Sequence, residues 1–199
     1  MMDTRVEQLR ASSGEANTHG LSDELVDSFL KIDPNLGTAL DLAIKARENL
    51  DDEVEDLLLK LTESQFASEL QKDFVNFYEP STVNPYIPLA AKGPWIITTH
   101  GAVVHDNGGY GMLGMGHDPT EVMSSMSESH VMANVMTPSV THKRFADTLK
   151  REVGHTRGTC PFDRFICMNS GSESVTVAMR ISDINALSLI HISEPTRLT

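Results

Sequence analysis

The chain has 199 residues, 40% of them apolar and 22% charged, proportions ordinary for a globular protein and enough for one domain with a real core. Its formal net charge of −12 argues against nonspecific binding to nucleic acid or to an anionic membrane surface, because a phosphate layer would repel it. No run reaches the roughly 18 apolar residues of a membrane helix, and the polar start with Asp3, Arg5 and Glu7 has no signal-peptide core, so the cytoplasm is the expected location.

Residues 1–20 are polar, with Ser12, Ser13, Gly14 and Asn17, and are expected to be disordered. Residues 21–80 read as an acidic helical extension, in which fifteen Asp or Glu stand against five Lys or Arg, a local balance of −10. Its first helix starts at a Ser22 N-cap and runs over Leu25, Phe29 and Leu30 until Asp33-Pro34 stops it. A second covers residues 36–47, with Leu36, Leu40 and Ile44 at four-residue spacing. A third carries Val54, Leu57, Leu58, Leu61, Phe66, Leu70 and Phe74 as one apolar stripe. The acidic residues serve either as the solvated face of these helices or as a docking surface for a basic partner.

A change of composition places a boundary near residue 80, after which Pro80, Pro85, Pro88 and Pro94 punctuate a loop. The β-branched residues of 95–99 and 102–106, separated by His100-Gly101, predict a hairpin. Five glycines then fall in the ten residues from Asn107 to Gly116, where the backbone must bend or approach something closely. Pro119 opens a short helix, and another fits 140–151. Six of the ten methionines lie between Met112 and Met136, as core filler or as an adaptable binding surface. Residues 81–139 thus form an N-terminal segment with a hairpin and a glycine-rich loop. Cys160 and Cys167 lack disulfide or zinc spacing and are expected as reduced thiols; His100 and His105 do not have ligand spacing, and no metal is expected.

Phe165-Ile166-Cys167-Met168 predicts a short strand buried in a parallel sheet. Asn169-Ser170-Gly171-Ser172-Glu173 follows and leads into an apolar helix. Strand, glycine turn and helix N-terminus together present free N–H groups and the positive end of a dipole to a phosphate. The same residues also make an ordinary N-cap, so both readings stand on the pentapeptide alone. A serine-hydrolase elbow is excluded, since Ser172 is flanked by Ser170 and Ser174 where glycines are needed, and the GxxxxGK[ST] nucleotide loop is absent.

The run GAVVHDNGGYGMLGMGHDPTEV, followed about fifty residues later by FICMNSGSESVTVAMRIS, resembles the N-terminal third of class III aminotransferases, the ornithine and 4-aminobutyrate aminotransferase group of fold type I pyridoxal-phosphate enzymes. The matching parts are a hairpin ending at Asp106, the glycine-rich stretch, the turn Gly116-His117-Asp118-Pro119, and the turn from Asn169 to Ser174. They cover about half the chain. Ser174 stands where the family has Ala, and the acidic region is longer than the usual N-terminal arm.

The resemblance implies an α/β fold: a helical arm and hairpin segment, then the start of the large cofactor-binding domain over residues 140–186. It implies pyridoxal 5'-phosphate as cofactor, with Gly171 and Ser172 holding the phosphate and Ser170 in the same turn. It further implies a homodimer that moves an amino group from an amine or amino acid to a keto acid, with Tyr110 as a weak candidate for the substrate pocket. The lysine that carries the cofactor is not matched, since the last lysine, Lys150, precedes the phosphate turn. No catalytic residue is therefore assigned, and the chain by itself is expected to be inactive. The alternatives are an aminomutase, decarboxylase or racemase on the same fold, or a non-enzymatic adaptor acting through residues 21–80. Finally, residues 187–197 back-translate codon for codon into a transposase-type sequencing-library adapter, so residues 187–199 are expected to be foreign to the protein and the remainder to be its N-terminal part.

Overall fold

The computed structural model describes residues 3–75, 79, 86–107, 114–131 and 136–193, with side chains as far as residue 187. The architecture is mixed, with helices and a small three-stranded antiparallel sheet. In chain order the elements are α1 (Thr4–Ala11), α2 (Asp23–Leu30), α3 (Pro34–Glu48), α4 (Asp52–Lys60), α5 (Glu63–Gln71), β1 (Pro88–Lys92), β2 (Trp95–Thr98), β3 (Val103–His105), α6 (Thr120–Met126), α7 (Val140–Gly154) and α8 (Gly171–Ser193). They fall into two compact units, Met1–Ser129 and His130–Thr199.

In the first unit α3 is the central helix. Pro34 sits in its first turn, where the missing N–H costs nothing, and Asp33 caps it by accepting from Asn35 N–H at 2.9 Å. The spacing of Leu36, Ala39, Leu40 and Ala43 puts all four on one buried face, which packs on β1 and β2. Val6 and Leu9 of α1, Val26 of α2, and Trp95, Ile97 and Val103 of the sheet complete a single hydrophobic cluster. The boundary expected near residue 80 therefore does not divide the packing: helices from before it and strands from after it share one core, because neither side buries its apolar face alone.

The N-terminal stretch expected to be disordered instead contains α1. Asp3 accepts from Arg5 N–H at 2.9 Å and pairs with the Arg5 guanidinium at 2.8 Å, fixing the start of the helix. The polar loop after it is tied down by its backbone: Gly14 N–H donates to Leu58 O at 2.9 Å, Leu21 N–H to Val103 O at 2.8 Å, and Glu63 N–H to Glu15 O at 2.9 Å. A polar composition conceals such bonds, since backbone donors do not depend on side-chain type.

The predicted third helix is two. Leu61 leaves helical geometry and Thr62 starts α5 with a capping box, its hydroxyl accepting from Gln65 N–H while the Gln65 side chain accepts from Thr62 N–H. The sheet has order β1-β2-β3, with Ile97 of β2 paired to Ala90 and to Val103. The hairpin β2–β3 lies where expected and turns at Gly101, whose φ of 74° is left-handed and favours glycine. Strand β1 falls in the stretch read as a proline loop; Pro88 is tolerated because it is the first residue of an edge strand. Gly93 and His117 exchange two backbone hydrogen bonds, of 2.9 and 2.7 Å, and Lys92 donates to Asp118 and Thr120, which secures the chain at the start of α6.

In the second unit, α7 covers the predicted 140–151 and a further turn. Residues 165–168 do not form the predicted strand. Among the described residues this unit holds no strand for them to pair with, and Ile166 is 65% exposed, so a sequence suited to a buried parallel strand has no ladder to join. Helix α8 begins directly after Ser170. No helix among the described residues is long and apolar enough to cross a membrane.

Candidate functional site

The turn of Asn169, Ser170, Gly171, Ser172 and Glu173 lies at the N-terminus of α8. Ser170 Oγ accepts from Glu173 N–H at 3.2 Å, Glu173 Oε2 accepts from Asn169 N–H at 3.0 Å, and Ser170 O accepts from Ser174 N–H at 3.1 Å. Ser170 is thus engaged as the helix cap, and its contribution to an anion is secondary. The N–H groups of Gly171 and Ser172 come earlier in the helix than any carbonyl that could receive them, and none among the described residues does. Nothing lies within 4 Å of the place a Gly171 Cβ would occupy, so the turn is open on that side.

These groups fit a phosphate: two unpaired N–H donors, the exposed Ser172 hydroxyl and the positive end of a long helix. The Glu173 carboxylate at the same end opposes an anion, but one of its oxygens is occupied by the Asn169 N–H. The Ser174 hydroxyl donates back to Ser170 O at 3.1 Å, so it is absorbed by the helix and takes nothing from the turn. Beside the turn is a shallow depression of about 340 Å³ lined by Met168, Ser172, Glu173, Thr176, Val177 and Arg180. Arg180 was not anticipated; the signal was available, since Ser172, Thr176 and Arg180 recur every four residues and share a helix face.

Tyr110 lies outside the described residues. The described glycine-rich flank ends at Gly116, whose φ of 75° brings it so close to Gly93 that a Cβ would fall 2.9 Å from Gly93 Cα. His117 Nε2 lies 3.1 Å from Asp106 Oδ2 and both are half-buried, which joins the Gly-His turn to the end of the hairpin. Cys160 and Cys167 are free thiols, and no group of three or more His, Cys, Asp or Glu able to hold a metal occurs among the described residues.

No family model matches the chain, and no curated protein or solved structure does either.

Proposed function

We propose that the protein is a pyridoxal-phosphate-dependent aminotransferase of the class III type, with Gly171 and Ser172 as its phosphate contacts. The observation that carries this reading is the open cap of α8, where two N–H groups and one hydroxyl have no partner among the described residues, downstream of the hairpin and Gly-His-x-Pro turn in the family's order. Gly171 would accept the phosphate against its backbone because no side chain intervenes. Ser172 would donate its hydroxyl, and the α8 dipole would offset part of the phosphate charge. When bound, pyridoxal phosphate supplies the electron sink that loosens bonds at the amino-bearing carbon. The amino donor is an amine or amino acid and the acceptor a keto acid. The active assembly is a homodimer; all seven lysines precede the turn, and none is assigned to carry the cofactor.

The test is titration of the chain with pyridoxal 5'-phosphate, with pyridoxal as the control lacking phosphate, followed by calorimetry and by the amide resonances of Gly171 and Ser172. Ser172→Ala removes a hydrogen bond to a charged group, about 1.5–3 kcal/mol, so the dissociation constant should rise about tenfold to a hundredfold. Gly171→Val should weaken binding further, since a branched side chain would stand where the phosphate sits. Unchanged affinity in both variants would reduce the turn to a helix cap and remove the main support for the assignment.

A further inference from the structure

A cavity of the first unit involves no residue of the α8 turn. It measures about 590 Å³, within the size range of small-molecule sites, and opens between the loop after α1, the start of α2 and the β2–β3 turn. Its lining includes the polar residues Arg10, Thr18, Ser22 and Asp23, with the buried His100 behind them. Arg10 Nη1 and Asp23 Oδ1 are 2.9 Å apart, which places one full positive and one full negative charge together at this cavity. The N-cap Ser22 makes no side-chain bond to the first turn of α2, leaving those N–H groups uncovered by their own cap.

Two further groups in the lining residues lack partners. The Thr18 hydroxyl and His100 Nε2 are buried without a hydrogen bond among the described residues, a state that costs free energy until something supplies the bond. His100 is held from its other nitrogen: Nδ1 lies 3.0 Å from Thr99 Oγ1 and 4.0 Å from Glu63 Oε1.

We propose that this cavity binds a small zwitterion of the α-amino-acid class. A simple anion entering it would meet Arg10 but also the Asp23 carboxylate, and a simple cation would meet the reverse conflict. A ligand carrying carboxylate and ammonium on one carbon lets each charged residue exchange its present partner for one of the same sign, so neither half-exposed charge is left facing its own kind. The ligand carboxylate takes Arg10 and the first turn of α2, and the ammonium takes Asp23.

The experiment is calorimetric titration of the chain with L-alanine, with propionate and ethylamine as single-charge controls, alongside amide shifts mapped by NMR. L-Alanine should saturate and shift the amides of Thr18, Gly20 and Asp23, while each control binds at least about tenfold more weakly. Arg10→Gln and Asp23→Asn should each weaken L-alanine about tenfold or more, with melting temperature checked in both. The proposal is overturned if L-alanine neither saturates nor shifts those amides up to about 10 mM, if propionate binds as well as L-alanine, or if folded variants bind L-alanine undiminished. Should a variant unfold, the shift map and controls of the unmodified chain decide the question. Because the readout lies in residues 18–23, this proposal and the phosphate site at Gly171 fail or stand separately.

Discussion

His100 shows how one side chain couples the ends of the first unit. It has no exposed surface, shares the interior with Glu63, and lies 6.5 Å from the Phe66 ring. Burial pushes its pKa below the ordinary 6.5, the Arg47 charge pushes the same way, and Glu63 opposes both. The folded protein therefore keeps the imidazole neutral at pH values where the unfolded chain already takes up a proton. Stability from this residue is complete above about pH 6.5 and is lost as pH falls through the depressed folded value. The expected outcome is a lower urea midpoint at about pH 5.5 than at about pH 7.5, with the difference reduced in His100→Gln. An equal pH dependence in the variant would assign the effect to other groups. Glu63 itself is fixed by two 2.7 Å bonds to its Oε2 from Asn17 and Thr18 N–H, so one buried carboxylate organises the loop that composition marks as disordered.

At the level of elements, Asp33 joins a helix to a strand. One carboxylate oxygen caps α3 and the other accepts from the Trp95 indole at 2.8 Å, and these bonds hold its pKa below the usual 3.8. Its stabilising effect is thus present above about pH 3.8 and lost as pH falls further. Trp95 is also packed on Phe29 at 5.0 Å and edge-on to His105 at 4.8 Å. Asp33→Ala removes a helix cap and strands a buried indole N–H, so unfolding should become easier by about 2–4 kcal/mol in urea titration. Asp33→Asn, which keeps a capping oxygen, should lose less; equal losses would show that the cap contributes nothing. Helix ends were in general legible where a single residue decides them, as at Pro34 and Pro119, whereas the α4–α5 break was hidden within one continuous apolar stripe. The capping-box residues Thr62 and Gln65 were the available sign of it.

Across the whole chain the two units differ in how well their apolar residues are covered. The first has a continuous core, whereas Val140, Phe145, Val175, Met179 and Ile184 of the second are each more than half exposed. Amide exchange should be slowest in α3 and β2 and fast in α8, read by mass spectrometry on the monomeric chain. Protection of α8 equal to that of α3 would mean that its apolar face is covered in solution. Sequence alone determined what local chemistry can encode: most helices, the hairpin with its Gly101 turn, and the serine-capped start of α8 at Gly171, because caps, φ preferences and periodicity act over a few residues. Tertiary structure decided the rest. It ordered residues 4–23 through backbone bonds to distant carbonyls, drew Pro88–Lys92 into a sheet, and erased the boundary at residue 80 by giving α3 and β2 a common core. It also left residues 165–168 without a ladder, since a strand exists only where another strand meets it.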